Sequence, residues 1–179
     1  MAETQTIVLG GGCFWCTEAV YKEVRGITDV ESGYSNGQVE RPSYEQVCTG
    51  TTGHAEVVKL TYDPAQISLR QILEIFFVVH DPTQLNRQGN DVGTQYRSGI
   101  YTTTPEQKQA AEDMIRTMSQ DKLFDHPIVT EVQPLANYWP AEAYHQDFFE
   151  RNPHQGYCMA VAAPKVAKFR KTFTELVRR

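Results

Sequence analysis

Residues 6–16, Thr6-Ile7-Val8-Leu9-Gly10-Gly11-Gly12-Cys13-Phe14-Trp15-Cys16, carry the reading of the fold. Thr6 to Leu9 is short, apolar and bounded by glycine, which fits a buried strand and is too brief for a helix. The three glycines let the backbone turn sharply. A helix is predicted from about Phe14 to Arg25, with Gly26 as its stop. A strand that turns directly into a helix is the first half of a β-α-β unit, so the next question is where the second strand lies.

Ile27 to Tyr34 supplies it, ending at the turn signal Ser35-Asn36-Gly37. Ala55 to Tyr62 reads as a third strand, closed by Asp63-Pro64. Ser68-Leu69-Arg70-Gln71 is a capping box for a second helix, whose Ile72, Leu73, Phe76 and Val79 share a face. That helix should end near His80-Asp81-Pro82. After a polar loop, Thr83 to Gln95, a strand is predicted over Arg97 to Thr103, and a helix begins at Thr104 with Pro105 in its first turn. Ile128 to Val132 reads as a strand and Ala141 to Arg151 as a short helix. Pro164 to Arg179 is basic, with Val166, Phe169, Phe173 and Leu176 at helical spacing, and is read as an amphipathic helix.

The order β-α-β-β-α-β predicts an α+β fold: a ferredoxin-like, split β-α-β two-layer sandwich with a mixed sheet and an irregular C-terminal extension. No repeat or linker divides the chain, so residues 1–179 are expected to form a single catalytic domain. With 179 residues, 40% hydrophobic and 22% charged, the chain can bury a core without staples. A net charge of −5 argues against a broad nucleic-acid surface. The densest apolar run, Ile75 to Val79, is far too short to span a bilayer, and the N-terminus lacks a signal-peptide pattern, which points to the cytoplasm. The four cysteines are Cys13, Cys16, Cys48 and Cys158. Without a signal they read as reactive or buried thiols rather than a disulfide framework.

Cys13 falls at the predicted helix N-terminus, where unpaired N–H groups favour an anion, so its thiol pKa is expected to fall. Phe14 and Trp15 beside it could wall a small apolar substrate group. Other chemistries fit less well. No Gly-Lys-Ser/Thr follows the glycines, as a phosphate loop requires. Cys13-x-x-Cys16 has no second pair to complete a zinc site, and no metal is expected. His54-x-Glu56 does not stand in the order of a zinc deaminase. A general thiol–disulfide oxidoreductase using Cys13 and Cys16 is the alternative enzyme.

At Gly12-Cys13-Phe14-Trp15 the chain resembles the peptide methionine sulfoxide reductase A family. The likeness continues, in order, through Pro42-Ser43-Tyr44-Glu45-Gln46-Val47-Cys48, Gly53-His54-Ala55-Glu56-Val57, His80-Asp81-Pro82-Thr83-Gln84, Gly89 to Ser98 and Tyr144-His145-Gln146. It covers roughly residues 7–158. The resemblance implies reduction of the S epimer of methionine sulfoxide, free or in proteins. It implies Cys13 as nucleophile, Glu56 as proton donor, Tyr44 and Tyr96 as phenols hydrogen-bonding the sulfoxide oxygen, Phe14 and Trp15 as walls for the S-methyl group, and Asp91 as an acidic residue orienting the substrate backbone or neighbouring groups. Cys13 would be left as a sulfenic acid, which condenses with a nearby thiol. Cys158, in Gly156-Tyr157-Cys158, resembles the family's resolving cysteine. It lies in a C-terminal segment of about residues 150–179. Cys16, one helical turn from Cys13, is an alternative resolver or relay. Thioredoxin, or dithiothreitol in its place, would reduce the disulfide, with no bound cofactor and a monomeric enzyme. Cys48 reads as a buried bystander, and His54 and His145 as holding local hydrogen bonds.

Overall fold

The computed structural model describes residues 3–178. In chain order they form β1 (Gln5–Gly10), α1 (Phe14–Tyr21), β2 (Ile27–Ser35), α2 (Tyr44–Cys48), β3 (Ala55–Tyr62) and α3 (Leu69–Val79). A small hairpin, β4 (Arg87–Gln88) and β5 (Asp91–Val92), precedes β6 (Gly99–Thr102), α4 (Pro105–Gln120), β7 (Glu131–Pro134) and β8 (Trp139–Pro140). The short α5 (Phe148–Arg151) and α6 (Ala163–Thr172) complete the chain. Among the described residues no helix is long and apolar enough to cross a membrane.

The main sheet has the order β7-β6-β1-β3-β2-β8. Neighbouring strands are antiparallel except β6 and β7, which are parallel, so the sheet is mixed and the architecture is α+β. The apolar run of β1 is continuous because both its faces are covered. Ile7 and Leu9 meet residues of α1, α3, α4 and α6 in the main core. Val8 points the other way, toward Ala55, Val57 and Tyr101, under Leu135 and Tyr138.

Local signals set several helix starts. Ser68 and Gln71 exchange hydrogen bonds at the start of α3, and Thr104 caps α4 with Pro105 in its first turn. Ser43 and Gln46 form a second capping box and open α2, a helix absent from the predicted elements.

Elsewhere distant segments override local pattern. The first helix stops at Tyr21 instead of running to Arg25. Residues 23–25 pair with the C-terminal strand-like end: Arg25 N–H donates to the Leu176 carbonyl and Arg178 N–H to that of Glu23, both at 2.7 Å. The Arg178 guanidinium also binds the carbonyls of Lys22, Val24 and Ile27. Backbone groups that would continue the helix are thereby taken.

The helix predicted over 141–151 is also broken. The Gln146 side-chain amide acts as a strand partner for Ser32, receiving its N–H and donating to its carbonyl, each at 2.9 Å. That leaves a 3-10 turn at Ala143–His145 and only four residues in α5. The strand predicted over 128–132 lies at Glu131–Pro134, since Val129 N–H is drawn to the Pro82 carbonyl at 2.8 Å. In the tail, Val166 and Phe169 are buried on α6 as the helical spacing predicts, but the helix predicted over 164–179 ends at Thr172: Phe173 is only partly buried, Leu176 is buried from a separate 3-10 turn, Thr174–Leu176, and Arg179 lies outside the described residues. Pro164 has no N–H to offer, and the turn before it, Cys158–Ala162, widens to a π form leading into α6.

Gly12 has φ +93°, and a Cβ there would lie 2.8–2.9 Å from Cγ and Cβ of Gln88. Gly12→Ala should therefore destabilise the protein by about 1–3 kcal/mol. A urea titration checks this; an unchanged midpoint would show that the loop relaxes freely.

Candidate active site

Cys13 is the N-cap of α1, with φ −61° and ψ 130°, and is 8% exposed. The helix N-terminus serves its sulfur only weakly, through the Trp15 backbone amide. Its first free amide, Phe14 N–H, donates to Glu56 Oε1 at 3.1 Å. Burial pushes the Cys13 thiol well above its usual pKa, and the nearby Cys16 and Glu56 add to the rise. The expected fall in this pKa is thus corrected: it rises instead, because desolvation outweighs the helix end.

Glu56 lies on β3 opposite Tyr34 of β2 and is 1% exposed, so it is no solvent-facing charge. Its Oε2 has no hydrogen-bond partner among the described residues. Burial raises its carboxyl to about 8, the Phe14 amide pulling the other way. A carboxyl of this kind holds its proton near neutrality and can donate it.

Two phenols flank this pair. Tyr44 opens α2, with its ring stacked on Phe14 at 6.3 Å and its N–H bonded to Glu142 at 2.9 Å. Tyr96 ends the 3-10 turn Thr94–Tyr96. Burial first, then the charge of Glu56, holds both phenols above their usual range, and Cys13 contributes in the same direction. Both remain hydrogen-bond donors.

The aromatic neighbours differ. Phe14 is fully buried against Tyr34, Tyr44 and His145. Trp15 is half-buried and held on three sides. Its ring stacks on Phe148 at 3.8 Å, meets Tyr157 edge-on at 5.9 Å, and its indole N–H donates to His145 Nδ1 at 3.0 Å. His145, Phe148 and Tyr157 were not in the predicted site. No short-range pattern marks His145 or Phe148; Tyr157 stood beside Cys158 in a motif read only for its cysteine. His145 does hold a hydrogen bond, but across 130 positions of sequence rather than locally. His54 bonds nearby backbone, at Gly37 N–H and the Val39 carbonyl.

The remaining predicted residues lie around Cys16. Cys16 is 2% exposed and Cys158 fully buried. Asp91, on β5, accepts a 2.5 Å hydrogen bond from the Tyr157 hydroxyl. Cys48 ends α2 exposed, which corrects its reading as buried: α2 is a single surface turn that buries only Val47. All four thiols are free. Among the described residues no three His, Cys, Asp or Glu side chains gather as a metal site would need.

Known proteins are similar to this chain in sequence and fold. Residues 5–177 match the family model described as peptide methionine sulfoxide reductase. A peptide methionine sulfoxide reductase MsrA of Haloquadratum walsbyi is 56% identical over 98% of this chain and 98% of its own. Mxr1 of Saccharomyces cerevisiae, in reduced form, superposes with a TM-score of 0.82 at 35% identity, over 87% of this chain and 90% of its own. Mxr1 in complex with Trx2 shares the fold at 24% identity and a TM-score of 0.58, over 83% of this chain and 88% of that one.

The raised Glu56 carboxyl links stability to pH. Its contribution is full below the ordinary value of 4.5 and is lost as pH rises through about 8. Between about pH 6 and about pH 9 the wild type should lose on the order of 2–3 kcal/mol more than Glu56→Gln. Denaturant unfolding at the two pH values measures the difference, and equal losses would place the proton elsewhere.

Proposed function

Since the chain belongs to the peptide methionine sulfoxide reductase family, we propose that Cys13 takes the oxygen from methionine S-sulfoxide with Glu56 as the proton donor. The observation that carries this is the buried Glu56 carboxyl beside Cys13, with one oxygen fixed by Phe14 N–H and the other unpartnered. Both groups bind a proton more tightly than usual, burial being the main cause for each. As a sulfoxide enters, Glu56 gives its proton to the sulfoxide oxygen while Tyr44 and Tyr96 donate hydrogen bonds to it, and the Glu56 carboxylate so formed takes the Cys13 proton. A sulfoxide sulfur becomes electrophilic as its oxygen is protonated, and the Cys13 thiolate attacks. The bond between oxygen and the methionine sulfur breaks, the oxygen ends on Cys13 as a sulfenic acid, and methionine leaves.

Trp15, with Phe14 behind it, lines the side of the S-methyl group. Its fixed ring supports that role. Asp91 orients neighbouring groups through Tyr157. A second thiol, Cys158 or Cys16, condenses with the sulfenic acid and releases water. The resulting disulfide is reduced by a thioredoxin or, in vitro, by dithiothreitol. The complex of Mxr1 with Trx2 supports that choice of partner. On this reading the chain acts on oxidised proteins or free methionine sulfoxide, as a monomeric cytoplasmic enzyme without a bound cofactor. The β6-β1-β3-β2 portion of the sheet, antiparallel throughout, supports the ferredoxin-like, split β-α-β description.

Cys13→Ser should abolish consumption of the S sulfoxide, and Glu56→Gln should lower kcat by about 10²–10⁴-fold. Methionine release followed by chromatography measures both. Near-normal turnover in the Cys13 variant would sink the assignment, and so would insulin reduction at a comparable rate without any sulfoxide.

A further inference from the structure

The reduction step leaves unused a set of polar groups around Cys16. The Cys16 thiol donates to the Tyr157 hydroxyl oxygen at 3.6 Å, and the Tyr157 hydroxyl donates in turn to Asp91 Oδ2 at 2.5 Å. The three therefore form a chain directed from thiol to carboxylate. Lys165, on α6, lines the same small void as Cys16, together with Gly11, Val20, Phe76 and His80. Cys158 has no such arrangement: its backbone N–H bonds the Gln155 side chain, and burial and the charge of Cys16 push its thiol up.

A buried thiol is normally a poor nucleophile, because desolvation disfavours the thiolate. In the reduced protein Cys16 departs from that rule, and the Tyr157 and Lys165 part of the effect does not depend on the Cys13 thiol. The Cys13 hydrogen bond lowers its pKa, and Lys165 and Tyr157 act in the same direction against its burial. Tyr157 itself is held far above the usual phenol range, by burial first and then by the charges of Cys13 and Cys16. Such a phenol passes a proton on rather than keeping a charge of its own.

Resting on the sulfoxide-reductase reading, we propose that Cys16 is the thiol that resolves the Cys13 sulfenic acid, and that Tyr157 is a catalytic residue of this second step, relaying the Cys16 proton to Asp91. The Cys16 sulfur attacks the Cys13 sulfur. The S–S bond forms as the Cys13 S–O bond breaks. The Cys16 proton moves to the Tyr157 oxygen while the Tyr157 proton moves to Asp91. The departing hydroxide becomes water with a solvent proton, and Asp91 returns one to solvent. In sum, a thiol and a sulfenic acid become a disulfide and water, with no added oxidant. Asp91 is a positioning residue, acting through Tyr157, and Lys165 holds the transient thiolate.

A single-turnover experiment without reductant separates the two steps. Methionine formation reports the first. Dimedone capture on Cys13 and peptide mapping of the disulfide report the second. Wild type and Cys158→Ser should each form about one methionine and a Cys13–Cys16 disulfide. Tyr157→Phe should still form about one methionine, while disulfide closure, timed from the sulfenic acid already formed, slows by about tenfold or more and dimedone-labelled Cys13 accumulates. The pH profile of closure should move upward in Tyr157→Phe, Asp91→Asn and Lys165→Met. Besides these three residues, the titratable groups facing Cys16 are Cys13, Glu56, Cys158 and His80. They are unchanged in each variant. If Tyr157→Phe does not fold, the other two variants carry the test through the same shift. Closure at the wild-type rate and pH profile in the variants, or a Cys13–Cys158 bond mapped in the wild type, overturns the relay. Absence of methionine in the wild type overturns the reductase reading instead.

Discussion

The hydrogen bond from Phe14 N–H to Glu56 Oε1 joins the first turn of α1 to the middle of β3. It spans 42 positions of sequence and lies wholly inside the protein. Every other feature of the site is arranged around it. A helix N-terminus has a few unpaired amides, and here the first of them serves a carboxyl rather than the adjacent sulfur. Glu56 is thereby fixed with one oxygen committed and the other left over. Burial raises its proton affinity, and that one amide does not reverse the effect. The proton is therefore stored on or near the acid, beside a thiol that burial likewise keeps protonated. An exposed glutamate or a solvated cysteine would hold its proton less tightly.

The scaffold keeps this pair in register. β1 leads into α1 with both its faces covered, so the glycine turn starts from a fixed end. Trp15 is locked between Phe148, Tyr157 and His145, all from the C-terminal part of the chain. Glu142 ties that part back, binding the Tyr34 hydroxyl at 2.7 Å and Tyr44 N–H at 2.9 Å. Gln146 anchors it to β2. The segment after β8, irregular as it is, thus closes one side of the site.

Much of this was legible in the residues. Interactions confined to three or four positions can be read from sequence because both partners are visible together. The Ser68–Gln71 capping box and the Thr104-Pro105 helix start are of this kind. Ser43-Tyr44-Glu45-Gln46 carried the same signal and opens α2. The truncated α1 and the broken helix after Ala141 were not legible, since Arg178 and Gln146 act from far away in the chain. The proton affinity of Cys13 is hidden for a related reason: its helix position is local, while its desolvation comes from the whole surrounding core.

By itself the sequence determined the strand–glycine–helix entry, the placing of Cys13 at a helix N-cap, the alternation of strands and helices, and the residue types the chemistry needs. Those follow from backbone conformation and side-chain chemistry, which neighbouring residues largely set. Only the tertiary structure decided which groups are buried enough to hold a proton tightly, that Phe14 gives its amide to Glu56, and that Tyr157 stands between Cys16 and Asp91. Those depend on burial and on distances between segments remote in sequence. Desolvation and hydrogen-bond partnership are properties of an environment, and no stretch of chain contains its own.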